Sequence, residues 1–252
     1  MALKLLALLP LLSAVSSFPL LAPRANPSCA PGGNINLSPW TLQLPIGSPG
    51  SPQQIPGSQL AGCSGYQDPG HKYFYTNPSS GALVTKVPGS PASSGCVTTP
   101  NSQHCRTELR EARSWDPKAG TNKLTATLTV VKADNSGHGT VVGQIHIDDS
   151  VSSKPVCELF VNSAGVVAMG VEQTRAGGNM IVTTVGSVDL GGSWSYAISY
   201  ANGVLTVSVN GGATKTLSTY SLDSPKSYFK AGNYNQGSSA SEVHFTSINI
   251  SH

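Results

Sequence analysis

Little in this chain is charged: Asp, Glu, Lys and Arg make up 11% of 252 residues, and the formal net charge is +3. A field that weak gives no general attraction for nucleic acid, so recognition of an anion has to be local. No CxxC spacing occurs, which removes the usual zinc ligand pattern and leaves no metal or cofactor called for. Past the first two dozen residues no apolar run reaches the roughly 18 needed to cross a membrane. Helical periodicity is weak, internal repeats are absent, and no long low-complexity tract is present. The Asp and Glu residues are scattered, with no evident pair on one strand face. Ordinary glycoside hydrolysis needs such a pair, so that chemistry is disfavoured.

What is present begins with "MALKLLALLPLLSAVSSFPLLAPRA", one early lysine, an apolar stretch and then small residues. That is the layout of a secretory signal peptide. It predicts a leader over 1–17, with a further cut possible near residue 24, and one domain over 25–252. The protein is expected to be secreted, extracellular and monomeric, and the "LLAPRA" ending resembles fungal leaders. Five cysteines follow, at 29, 63, 96, 105 and 157, predicting up to two disulfides and one leftover thiol in an oxidising compartment. Cys96 and Cys105 are the favoured pair. Asn36 and Asn249 stand in N-x-S sequons.

Short runs of Val, Thr, Ile and aromatics recur between turn residues, which reads as about a dozen strands of a sandwich or barrel. In "KLTATLTVV" Leu124, Ala126, Leu128 and Val130 share one face and Thr125, Thr127 and Thr129 the other. Asn202-Gly203 between two such runs is a strong hairpin signal. Residues 23–62 are rich in Pro, Gly, Ser and Asn; only "WTLQLPI" over 40–46 reads there as a strand, in a segment expected to wrap the domain. The fold class is all-β, a β-jelly roll sandwich of two antiparallel sheets.

Three strands carry polar faces. "RTELRE" puts Arg106, Glu108 and Arg110 on one side at steps of about 6.6 Å. That spacing suits forked pairing with carboxylates, although a solvated salt-bridge ladder gives the same pattern; Glu108 reads as a positioner. "GQIHIDD" places Gln144, His146 and Asp148 opposite Ile145 and Ile147. His146, with an ordinary pKa of about 6.5, can act as a base near neutrality, or be structural. "YFKAGNYNQ" lines up Tyr228, Lys230, Gly232, Tyr234 and Gln236. Together they offer cations and donors for a polyanion, a base, and phenols that exchange protons. The fitting chemistry is β-elimination on a polyuronate, in which donors stabilise charge on the sugar carboxylate while a base takes the C5 proton and an acid protonates O4.

"RTELRE", "QIH" and "YFKAGNYNQ", in that order, resemble the three signature motifs of the alginate lyases of polysaccharide lyase family 7, over residues 37–250. The resemblance implies a jelly roll whose concave face is the substrate cleft, with alginate as the partner. By motif, His146 and Tyr234 are the base and acid and Arg106 and Gln144 neutralise the substrate carboxylate. Arg110, Lys230, Gln236, Tyr228 and Glu108 line the cleft as substrate-binding residues. Tyr234 is preferred to Tyr228 as acid because Gly232 beside it leaves room for a sugar ring. Ile145, the middle of "QIH", accompanies guluronate-containing substrates in that family, which implies that preference, and the resemblance as a whole implies an endo-acting enzyme. The long Cys-bearing segment 89–105 departs from the family pattern. A lyase for another polyuronate such as glucuronan, or a non-catalytic carbohydrate-binding module, remains the alternative.

Overall fold

The computed structural model describes residues 25–252, so the proposed leader lies outside the described residues. In chain order the strands are β1 (Trp40–Ser48), β2 (Ser51–Ile55), β3 (Phe74–Thr76), β4 (Leu83–Val87), β5 (Arg106–Glu111), β6 (Lys123–Lys132), β7 (Thr140–Ile147) and β8 (Pro155–Val161). They continue as β9 (Val166–Val171), β10 (Ile181–Ser187), β11 (Trp194–Ala201), β12 (Val204–Val209), β13 (Lys215–Leu217), β14 (Ser227–Tyr234) and β15 (Ser241–Ser251). An eight-stranded sheet runs β10-β9-β8-β7-β14-β5-β1-β2 and a seven-stranded one β13-β12-β11-β6-β15-β4-β3. Every pairing is antiparallel, and two four-residue helical turns and a 3₁₀ turn complete the described residues. This is the jelly-roll sandwich expected from the alternating runs.

The core lies between the sheets. Leu109, Ile145, Leu159, Met169 and Phe229 point inward from the larger sheet to meet Leu124, Leu128, Ile198, Val207 and Phe245 from the smaller. The alternation in β6 is as read, with Leu124, Ala126, Leu128 and Val130 buried and the threonines between them half-buried. Asn202 and Gly203 join β11 to β12 with φ of 51° and 73°, the paired left-handed conformation of a tight hairpin turn. At Gly143 the two sheets approach so closely that an added Cβ would sit 2.6 Å from the Tyr196 hydroxyl, which donates to the Val142 carbonyl at 2.9 Å. That contact fixes β7 with Ile145 inward, so Gln144 and His146 face out.

The dozen expected strands are fifteen. The additional ones are short, and β2 ("SPQQI") carries a proline that is tolerated because β2 is an edge strand. Residues 40–55 therefore extend the larger sheet rather than only wrapping it, tied down by the Cys29–Cys63 disulfide. Cys96 and Cys105 pair as expected, and Asn36 and Asn249 are exposed. Cys157, fully buried, is the leftover thiol, and burial pushes its pKa up to about 12. We expect the native protein to ignore an aromatic disulfide reagent at neutral pH and to release one thiol per chain in denaturant; reaction of the folded protein would contradict this burial.

Candidate active site

The outer face of the larger sheet bears a cleft of about 730 Å³, floored by β5, β14, β7 and β8. Strand register assembles it. Lys230 stands between Arg110 and Gln144, Tyr228 opposite His146, Gly232 opposite Glu108, and Tyr234 opposite Arg106. Three stretches far apart in sequence thus place their polar faces side by side, because each turns its apolar face to the same core.

Glu108 is the centre. It is 1% exposed. Its Oε2 accepts from Lys230 Nζ at 2.7 Å and Arg106 Nη1 at 3.1 Å, and its Oε1 accepts from the Gln144 amide. Burial opposes the charge, but Lys230 and Arg106 outweigh it and hold the carboxyl below its ordinary range. Glu108 therefore holds Lys230, Arg106 and Gln144 together, and its acceptor sites are committed to the protein. Lys230 bears the consequence: burial, then Arg106, lowers its ammonium to about 8 against the pull of Glu108.

His146 Nδ1 lies 2.7 Å from the Ile147 carbonyl. A carbonyl only accepts, so Nδ1 carries the proton and Nε2 keeps its lone pair. Burial, then the Lys230 charge, lowers the imidazole to about 4, leaving it neutral at physiological pH. Tyr228 stacks on this ring with centroids 5.1 Å apart, and its hydroxyl donates to Asp149 Oδ1 at 2.9 Å. Arg110 closes the arrangement, 4.3 Å above the Tyr228 ring and 2.9 Å from Asp149 Oδ2.

The two tyrosines have different surroundings. Tyr228 spends its hydroxyl on Asp149, whereas the Tyr234 hydroxyl lies 3.2 Å from Ser102 Oγ, itself an acceptor from Arg106 Nη2 at 3.0 Å. The Arg106 guanidinium sits 3.6 Å over the Tyr234 ring. Burial raises the Tyr234 pKa and Arg106 only partly offsets it, so the phenol stays protonated.

The alginate lyase family model matches residues 35–252. The chain belongs to the alginate lyase family. It is 28% identical to the family 7 alginate lyase A1-II′ over 89% of this chain and 99% of that one, with a TM-score of 0.74. An alginate lyase from Pseudomonas aeruginosa is 29% identical over 86% and 99% of the two chains, with a TM-score of 0.70. A curated alginate lyase from Klebsiella pneumoniae is 28% identical over 82% of this chain and 84% of its own. Membership makes this alginate lyase an enzyme, a polysaccharide lyase, and not a bare carbohydrate-binding module.

Arg106, Glu108, Arg110, Gln144, His146, Tyr228, Lys230 and Tyr234 all line the cleft of this alginate lyase, but Gln236 does not. β14 ends at Tyr234; the Gln236 backbone N–H then donates to Asp134 Oδ2 at 2.6 Å, and its side-chain amide turns to the Asn235 carbonyl at 2.9 Å. Gly232 also serves differently from expectation. Its φ is +154°, and a Cβ there would stand 2.6 Å from the Thr107 carbonyl, so its missing side chain admits the neighbouring strand rather than a sugar. Asp148 leaves the strand face to accept from the Ser150 N–H at 3.0 Å, and Asp149 enters the cleft instead. Sequence reasoning missed Ser102, His104, Asp149 and Glu158; only the first two had a signal, the long Cys-bearing loop that holds them. Glu158 also qualifies the absence of paired carboxylates, because the fold brings it into the cleft that holds Glu108.

Two outcomes follow from these electrostatics. For kcat/KM on soluble oligomers the acid limb should have its midpoint near the free-enzyme value of about 4, since His146 is an available base at every pH above that; a midpoint at the ordinary histidine value would refute the buried, cation-facing imidazole. Glu108→Ala leaves Arg106 and Lys230 buried without their shared counter-charge, and urea denaturation should show a loss of about 3–5 kcal/mol.

Proposed function

We propose that this enzyme is a secreted, monomeric, endo-acting lyase that cuts the 1,4 bond of alginate by β-elimination and prefers guluronate-containing blocks. The observation that carries it is the split protonation of His146 and Tyr234: a neutral imidazole with a free Nε2, and a phenol held in its protonated form, both in one cation-lined cleft. In this reading His146 Nε2 removes the C5 proton of the sugar. The C5–H electron pair becomes the C4=C5 double bond as the C4–O4 bond breaks, and O4 takes its proton from Tyr234. Negative charge gathers on the uronate carboxylate in between, where Arg106 and Gln144 stabilise it, held in place by Glu108. Lys230 and Arg110 bind neighbouring carboxylates.

Guluronate and mannuronate differ at C5, so departure of the proton and O4 is anti in one and syn in the other. Syn elimination asks one tyrosine to be base and acid in turn, and a Tyr234 pKa raised by burial opposes the first role. Anti elimination uses the two groups as they stand. This favours guluronate, in keeping with Ile145. The relative A1-II′ supports the assignment: it has been crystallised with one tyrosine replaced in complex with the product GGG, and with one histidine and one tyrosine replaced in complex with the substrate GGMG.

The cleft is lined from Gln54 on β2 to Glu158 on β8, five inter-strand spacings, or about 24 Å. A floor that long suits an internal stretch of polymer, which supports endo action. Two closed disulfides suit an oxidising, extracellular setting. Tyr234→Phe should remain folded and lose turnover by about 100-fold or more, read as the ultraviolet absorbance of the conjugated double bond on polyguluronate. Retained turnover would move the acid elsewhere, and a faster wild-type rate on polymannuronate would reverse the block preference.

A further inference from the structure

The cleft floor changes character between β7 and β8. Gln144 is in register with Lys230 on one side and Glu158 on the other, so a row that begins with Arg110 and Lys230 ends in a carboxyl. Glu158 is 9% exposed, lines the cleft, and its carboxyl makes no hydrogen bond to another described residue. Glu172, just past β9, lines the same end and leaves its Oε2 buried without a partner. A carboxyl with no side-chain partner and a neighbouring buried Oε2 without one, both facing a cleft for a polyanion, need an explanation, since a buried polar atom left unpaired is costly unless a ligand completes it.

The charged and titratable groups bearing on Glu158 are Arg106 and Glu108 from β5, Lys230 and Tyr234 from β14, and Glu172 from beyond β9; on β7, His146 is neutral at physiological pH. Burial pushes the Glu158 carboxyl up to about 7, assisted by Glu108 and Glu172 and opposed by Arg106 and Lys230. A polyuronate presents two kinds of polar group. Its carboxylates only accept and carry charge, so an ionised Glu158 repels them. Its hydroxyls both donate and accept, so they pair with a carboxyl in either state.

We propose that Glu158 is a substrate-contacting, specificity-determining residue that receives a sugar hydroxyl and refuses a uronate carboxylate, turning the carboxylate of the reacting sugar toward Arg106 and Gln144. This rests on the reading of the cleft as an alginate site. The row across the sheet then discriminates along its length: cationic and amide donors on β5, β14 and β7 take carboxylates, and the carboxyl on β8 takes the hydroxyl side of a ring. Specificity arises as much from the group that is rejected as from the one that is bound. The refusal of a carboxylate belongs to the ionised carboxyl, whereas the contact with a hydroxyl is made in either state; because the bound polymer is anionic, binding weakens as Glu158 ionises.

The test is KM and kcat on polyguluronate for the wild type, Glu158→Gln and Glu158→Ala, at about pH 6 and about pH 8, on either side of the carboxyl's own range. The amide keeps the shape and the hydroxyl contact without the charge. Its KM should match the wild type at the lower pH and fall several-fold below it at the higher. The alanine variant loses the contact, and its KM should rise several-fold at the lower pH. An amide KM no lower than wild type at the higher pH overturns the proposal, as does an alanine KM unmoved at the lower. If the amide variant fails to fold, the alanine comparison carries the test. A change in melting temperature alone, with KM unmoved in both variants, marks a structural residue and also overturns it. Wild-type turnover separates the two readings: its absence at both pH values defeats the lyase assignment itself, whereas normal wild-type turnover with unmoved variant KM defeats only the role of Glu158.

Discussion

Glu108 is a carboxylate taken out of water, and the active face is arranged around keeping it there. Removing such an ion from solvent costs several kcal/mol unless neighbouring charges and hydrogen bonds replace its hydration. Here an ammonium, a guanidinium and an amide do so, each from a different one of three strands or from the same strand two residues away. The requirement is mutual, since Lys230 and Arg106 are themselves less than a tenth exposed. A one-residue slip of β14 or β7 would turn Lys230 or Gln144 into the core and leave the remaining charges uncompensated, so the cluster acts as a lock on register.

The same charges set the protonation of the groups on either side. Lys230 adds to burial in driving protons from His146, and Arg106, though it draws the Tyr234 phenol down, does not overcome burial. One group is left without a proton to give and the other without a strong tendency to lose its own. In the elimination proposed above the two roles are thus separated by position relative to a fixed cluster, and two tyrosines in one motif need not be equivalent. Tyr228, tethered to Asp149 and covered by Arg110, supports the imidazole ring, while the Tyr234 hydroxyl meets a loop serine.

Where the chain is a regular strand, alternation located the site: Gln144 with His146, Lys230 with Tyr234, and Arg106 with Glu108 and Arg110 are where a period of two puts them. It failed where strands end or distort. Gln236 and Asp148 lie beyond the last paired residue of their strands, so the backbone no longer holds them to a face. Past the Gly232 bulge, Asn233 is buried among Thr140, Ser241 and Thr85, joining the two sheets through hydrogen bonds that no single-strand pattern announces. Glu158 was hidden for another reason. In "PVCELFV" apolar residues occupy both faces, so the one carboxyl pointing to the cleft has no polar neighbours along its strand to mark that face. Ser102 depends on a disulfide-closed loop whose path over Tyr234 is a property of tertiary structure alone.

The case against hydrolysis consequently has a different basis from the one composition offered. Glu108, Asp149, Glu158 and Glu172 all line the cleft, and one of them, Glu158, has the raised pKa that would suit a general acid. Hydrolysis still needs a second carboxylate free to attack or to activate water. Glu108 cannot supply it, since its oxygens accept from three protein donors and it is 1% exposed; Asp149 is held by Tyr228 and Arg110, and burial raises the Glu172 carboxyl toward its protonated form. Freeing Glu108 would strand two buried cations. What disfavours hydrolysis is therefore commitment, since the most buried carboxylate of the cleft is already the counter-charge that holds Arg106, Lys230 and Gln144 in place.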